Sequence, residues 1–142
     1  VNSPVSRTLE LLRLEGYEPA IVERSIPTRP KPTKIDLHGI ADVEAWADDH
    51  TLYVQVCRDE DLAEHRAKAW VATFWRAKGD PRPARDVLAG LLADPSRRFE
   101  IWAWALRGSR RGRKTWSERR WRAIACEDGI AFVESESAEE VA

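Results

Sequence analysis

Residues 51–57, Thr-Leu-Tyr-Val-Gln-Val-Cys, alternate without a break: Leu52, Val54 and Val56 fall on one side of an extended chain, Tyr53, Gln55 and Cys57 on the other. A period of two sorts side chains this way in a β-strand and not in a helix. The strand follows a polar turn, Asp48-Asp49-His50, and gives the frame into which its neighbours must fit.

Before it, Leu9, Leu11, Leu12 and Leu14 among Arg7, Glu10 and Arg13 predict an amphipathic helix over 6–15, capped by Ser6 and stopped by Gly16. Residues 18–26 read as a first strand. Pro27, Pro30 and Pro32 then impose a stiff extended loop, and residues 34–46 read as a second strand around Gly39. After Cys57, a long helix is expected from Asp59 to about Lys78, broken by Gly79 to Pro83, and a short one from Ala84 to Ala93, stopped by Asp94-Pro95. Residues 99–106 and 114–126 read as a hairpin whose Trp102, Trp104, Trp116 and Trp121 build a sheet face or core, and residues 130–133 as a short edge strand. The order predicts an α/β (α+β) fold, a mixed sheet flanked by helices with a basic C-terminal β-hairpin. One domain is expected over 1–133, containing the hairpin 97–126, with 134–142 an acidic, disordered tail.

Composition adds most through where the charge lies. The chain of 142 residues has a formal net charge of −1, yet after Arg122 there are six acids and no Lys or Arg, which leaves residues 1–122 with 23 basic against 18 acidic residues. Within 97–122, ten basic residues face only Glu100 and Glu118. Charges as dense as Arg110, Arg111, Arg113 and Lys114 repel one another unless an anion is near, which points to nucleic-acid phosphates. Two cysteines and three histidines lack the spacing of a zinc site. There is no apolar run of about 18 residues and no leader pattern, so the expectation is a cytoplasmic protein with no membrane partner.

Asp36 and Asp42 in the second strand and Gln55 in the third offer oxygens that adjacent strands, roughly 5 Å apart, can bring to one cation. Oxygen donors suit Mg²⁺ or Mn²⁺, and a metal-bound water can hydrolyse a phosphodiester.

The opening helix ending Leu14-Glu15-Gly16-Tyr17, the segment Asp36-Leu-His-Gly39-Ile-Ala-Asp42, and the strand Leu52-Tyr-Val-Gln55-Val-Cys57 together resemble the PD-(D/E)XK nuclease superfamily, in its Holliday-junction-resolvase-like and phage-encoded branches. The resemblance covers roughly residues 6–70 and implies a restriction-endonuclease-like core. In it Asp42 matches the metal-binding Asp, while Gln55 and Cys57 stand where the family has Glu and, two residues on, Lys. It implies a metal-dependent DNA endonuclease of prokaryotic or phage origin, with Asp36, Asp42 and Gln55 as Mg²⁺ ligands and the third motif degenerate. Glu23 on the first strand, or Glu10 on the opening helix, is the acid expected to restore the charge lost at Gln55, and Lys34, Arg66 or Lys68 the cation expected to replace the lysine. Branched DNA and a symmetric homodimer follow from the resolvase-like relatives. Arg107, Arg110, Arg111, Arg113, Lys114, Arg119, Arg120 and Arg122, with Arg66 and Lys68, are the expected phosphate contacts. The alternative on the same fold is a DNA-binding or protein-interaction module without catalysis.

Overall fold

The computed structural model describes residues 3–22, 24–26, 33–35, 41–62, 73–77, 80–108, 112, 114–127 and 129–135. Helix α1 spans Pro4–Leu14 and begins three residues earlier than the sequence pattern places it. Ser3 is the cap: its backbone is extended, its Oγ accepts the Ser6 amide at 3.2 Å, and Pro4 fixes the first helical φ. At the other end the Gly16 and Tyr17 amides return to the carbonyls of Arg13 and Leu12 at 3.1 and 2.9 Å. This Schellman closure needs a left-handed residue, and Gly16 supplies it with φ of 93°.

Strands β1 (Glu18–Ile21), β2 (Arg24–Ile26), β3 (Thr33–Ile35), β4 (Val43–Trp46) and β5 (Thr51–Arg58) follow, then a 3₁₀ turn at Asp59–Asp61. Next come β6 (Thr73–Ala77), β7 (Asp80–Pro83), helix α2 (Ala84–Leu92), β8 (Arg97–Arg107), β9 (Thr115–Cys126) and β10 (Gly129–Ser135). Six strands form one mixed sheet in the order β1-β4-β5-β8-β9-β10, while β2–β3 and β6–β7 are separate two-stranded ribbons. Every neighbouring pair in the large sheet is antiparallel except β5 and β8, which run parallel from Thr51↔Arg97 to Arg58↔Trp104. A parallel pair requires a long crossover, and α2 lies within it.

Each face of the sheet has its own helix. Leu12 of α1 packs on Val43, Ala45, Leu52, Val54, Val56, Trp102 and Trp104. Leu88 and Leu91 of α2 pack on the opposite face, against Cys57, Phe99, Ile101, Ala103 and Ala123. The alternation of residues 52–57 thus serves two cores, one on each side of a central strand. Trp102, Phe99 and Ile101 are fully buried, and each large apolar side chain buried in this way stabilises the fold by about 1.5–3 kcal/mol. One buried polar link ties α1 to β8: Trp104 Nε1 donates to Thr8 Oγ1 at 2.9 Å, and the Thr8 hydroxyl donates to the Pro4 carbonyl at 2.8 Å.

Four expectations change. The strand over 34–46 divides into β3, which pairs with β2 in a separate ribbon, and β4, which joins the large sheet. The strand over 18–26 divides into β1, which joins the large sheet, and β2, which pairs with β3 instead. The long helix over 59–78 is not formed as drawn: the described part opens with a 3₁₀ turn and closes with β6, paired with β7. Thr73, Phe74 and Trp75 are β-formers, and that local preference prevails over the helical spacing. Finally, β10 carries Glu134 and Ser135 into the sheet opposite Trp121 and Arg120. Residues 136–142 lie outside the described residues.

Candidate functional site

Asp42 sits at a bend immediately before β4. In a regular strand Ala41 and Val43 would share a face, yet Ala41 packs with the α2 core and Val43 with the α1 core. The bend breaks the alternation and turns the Asp42 carboxylate toward β5. There Asp42 Oδ2 accepts two hydrogen bonds, from Gln55 Nε2 at 2.9 Å and from the Val56 amide at 2.8 Å. Asp42 is 5% exposed and Gln55 6% exposed, so both bonds form out of solvent. A carboxylate only accepts, so the Gln55 amide must present its NH₂ to it and direct its carbonyl oxygen elsewhere.

The site brings together two of the expected metal ligands, but as donor and acceptor to each other. Among the described residues no group of three or more His, Cys, Asp or Glu side chains is placed to hold a metal ion. Asp42 and Gln55 alone therefore do not fit a Mg²⁺ centre, which needs several oxygens in near-octahedral array. Asp36, Glu23, Arg66 and Lys68 lie outside the described residues, and Lys34 lies in β3, across from Ser25 of β2.

Cys57 is 6% exposed on the α2 face. Burial, reinforced by the carboxylates of Asp61, Asp59 and Asp42, pushes its thiol up to about 12, so it is neutral at pH 7 and supplies no charge to the site. The second cysteine, Cys126, is exposed. Iodoacetamide at pH 8 is expected to modify one thiol in the native protein and two in urea. Mass spectrometry would locate the native adduct at Cys126, and rapid labelling of Cys57 would show that its surroundings are open to solvent.

The basic residues separate into two kinds. Arg120 is 8% exposed and lies over the Trp102 ring at 3.9 Å, with its guanidinium forked onto Glu15, Nη1 to Oε1 at 2.8 Å, and a longer contact of 3.4 Å to Glu118. Burial alone would depress its pKa, but the Glu15 hydrogen bond and the nearby carboxylates outweigh it and hold the group charged. Arg119 binds Glu134 through Nε at 2.9 Å and Nη2 at 3.0 Å, and lies 3.8 Å from Asp59. Both arginines are engaged by carboxylates of the fold, because β9 is a sheet strand whose two faces meet α1 and the turn after β5. Arg107 keeps 45% of its side chain exposed beside Asp59, and Lys114 and Arg122 are exposed. Arg110, Arg111 and Arg113 lie outside the described residues.

Two further features have little trace in the sequence. His50 links Asp49, Nδ1 to Oδ1 at 2.6 Å, to the Tyr17 hydroxyl, which is 2.7 Å from Nε2. With the imidazole neutral, Nδ1–H donates to Asp49 and Nε2 accepts from Tyr17. The bond to His50 lowers the Asp49 pKa, and burial raises that of Tyr17. The other is a pair of hollows sharing a wall of Trp104 and Trp116. The larger, about 380 Å³, lies between the turn after β5 and the β8–β9 hairpin; the smaller, about 210 Å³, lies between α1 and β9. A scan against protein-family models returns no match for this chain, and searches of curated proteins and of solved structures return none either.

Proposed function

We propose that the chain is a nucleic-acid-binding module on a nuclease-like α/β fold whose metal chemistry has been replaced by a hydrogen-bonded pair. The observation that carries this reading is the 2.9 Å bond from Gln55 to Asp42. Two acids facing each other at this spot would repel and call for a cation; an acid and an amide satisfy each other without one. The neutral thiol of Cys57 points the same way, since it can neither anchor a phosphate nor orient an attacking water as an ammonium does.

Binding is supported by the concentration of positive charge in 97–122 once its fold-serving members are set aside. Arg107, Lys114 and Arg122 remain at the surface, and Arg110, Arg111 and Arg113 fall in the same turn region by sequence. Were five of these to neutralise duplex phosphates, the logarithm of affinity would fall against the logarithm of salt with a slope of roughly −4 to −5.

Fluorescence anisotropy with labelled DNA from 50 to 200 mM salt tests the binding. A cleavage assay with Mg²⁺ or Mn²⁺ on linear, flapped and four-way substrates tests the chemistry. Steep salt dependence without cleavage is the expected result. Metal-dependent cleavage abolished by Asp42→Ala would instead establish the active nuclease, with acids such as Asp36 and Glu23 completing the ligand set. A flat salt response would remove the phosphate contacts.

A further inference from the structure

We infer that the larger tryptophan-walled hollow accepts one unpaired nucleobase, stacked on Trp116, while the adjoining backbone runs toward the β8–β9 turn. This inference rests on the nucleic-acid reading and gives it a substrate class: strands with unpaired bases in preference to intact duplex.

The hollow of about 380 Å³ lies within the range of about 300–1,000 Å³ that small-molecule sites occupy. It lies at the carboxyl ends of β5 and β8, the parallel pair, where its lining includes Arg58, Trp104, Leu106 and Trp116. Trp104 is 5% exposed and gives a rigid floor, while Leu106 is 49% exposed and Trp116 half-buried, so apolar surface remains open at the mouth. The Arg7 guanidinium lies 5.6 Å from the centroid of the Trp116 ring, within reach of a cation–π interaction. Flat aromatic rings take up any base by stacking, because every base has a π-face.

The rim decides which way the backbone leaves. Asp59 and Glu60 also line the hollow. Asp59 is neutralised by Arg107 at 3.4 Å and Arg119 at 3.8 Å, but Glu60 is 74% exposed with Arg58 4.0 Å away. Phosphates are therefore disfavoured on the Glu60 side and favoured on the side of Arg107 and Lys114, which flank the hairpin turn. A base pair inside a duplex shows only its edges and cannot enter such a hollow; an unpaired base can swing in.

The test uses the full chain, a labelled twelve-nucleotide dT strand and a duplex of twelve base pairs at one salt concentration. The wild type is expected to bind the single strand more tightly. Trp116→Ala should weaken single-strand binding about tenfold and duplex binding less than twofold, with Trp116→Phe retaining most of the affinity. A 2-aminopurine placed in the strand should be quenched by the wild type and less so by Trp116→Ala, and a thermal melt of each variant verifies folding. Equal losses on both substrates, or no loss on either, would overturn the stacking site while leaving nucleic-acid binding intact. Failure of the wild type to bind either substrate would overturn the proposed function, and the stacking site with it.

Discussion

Gln55→Glu is expected to make the stability of this protein depend on pH and on divalent metal. The new carboxylate would face Asp42 Oδ2 where Gln55 Nε2 now lies 2.9 Å away, in a place where Asp42 is only 5% exposed. Two buried carboxylates at that distance cannot both ionise, so at neutral pH one must keep a proton. Holding a proton at pH 7 on a group that ordinarily releases it near 4.3 costs about 4 kcal/mol, or roughly 15 °C in Tm for a domain of this size.

The sign follows from linkage. The variant pair's folded pKa lies above the unfolded value, so its stability is fully present below the unfolded pKa and is lost as pH rises through the folded one. Melting curves at pH 5 and pH 8 should therefore separate for Gln55→Glu and not, through this pair, for the wild type. Saturating Mn²⁺ should restore the variant at pH 8, because a cation that binds only the folded state stabilises it by mass action. Wild-type behaviour at pH 8 without metal would mean that the two side chains do not meet.

Arg120→Ala should be the most destabilising change among the basic residues. It strips the partner from Glu15, 19% exposed, and from Glu118, 10% exposed, and uncovers the Trp102 ring. Breaking a buried pair in this way costs about 3–5 kcal/mol, a large part of the total stability of an ordinary domain. Arg120→Lys keeps the charge but loses the fork onto Glu15 and the planar stack, and should fall between the two. By contrast Arg119→Ala removes a pair whose side chains are 37% and 45% exposed, and should cost under about 1 kcal/mol. Urea unfolding of the four proteins ranks them. A small effect at Arg120 would mean that its pairing with Glu15 contributes little to the fold.

Much of the architecture was legible because it rests on local patterns. The alternation at 51–57, the helix at 84–92 and the hairpin of β8 and β9 each follow from spacing and turn residues a few positions apart. Ser6 also precedes apolar spacing, so spacing alone puts the cap three residues past Ser3; Pro4, which starts a helix but seldom continues one, marks the true start. The helical spacing over 59–78 does not hold at Thr73 to Trp75, where side-chain spacing fits a helical stripe but β-propensity favours a ribbon.

The site was legible in its members and not in its bonding. Asp42, at the bend one residue before β4, and Gln55 of β5 do meet, but whether an amide ligates a metal or serves the acid depends on which atom faces it. The roles of the arginines were harder to read. Charge density in 97–122 singles out a basic region, yet Glu15 lies 105 residues from Arg120 and comes beside it only because α1 packs across β8 and β9. The Tyr17–His50 link spans 33 residues and has no local signature for the same reason.

The account stands on Asp42 being satisfied by Gln55 and the Val56 amide. Calorimetric titration of Mn²⁺ into the wild-type chain and into Asp42→Asn at pH 7 tests this most directly. The expected result is no saturable binding that distinguishes the two proteins. One equivalent of Mn²⁺ bound by the wild type and lost in Asp42→Asn would contradict it and make Asp42 a metal ligand.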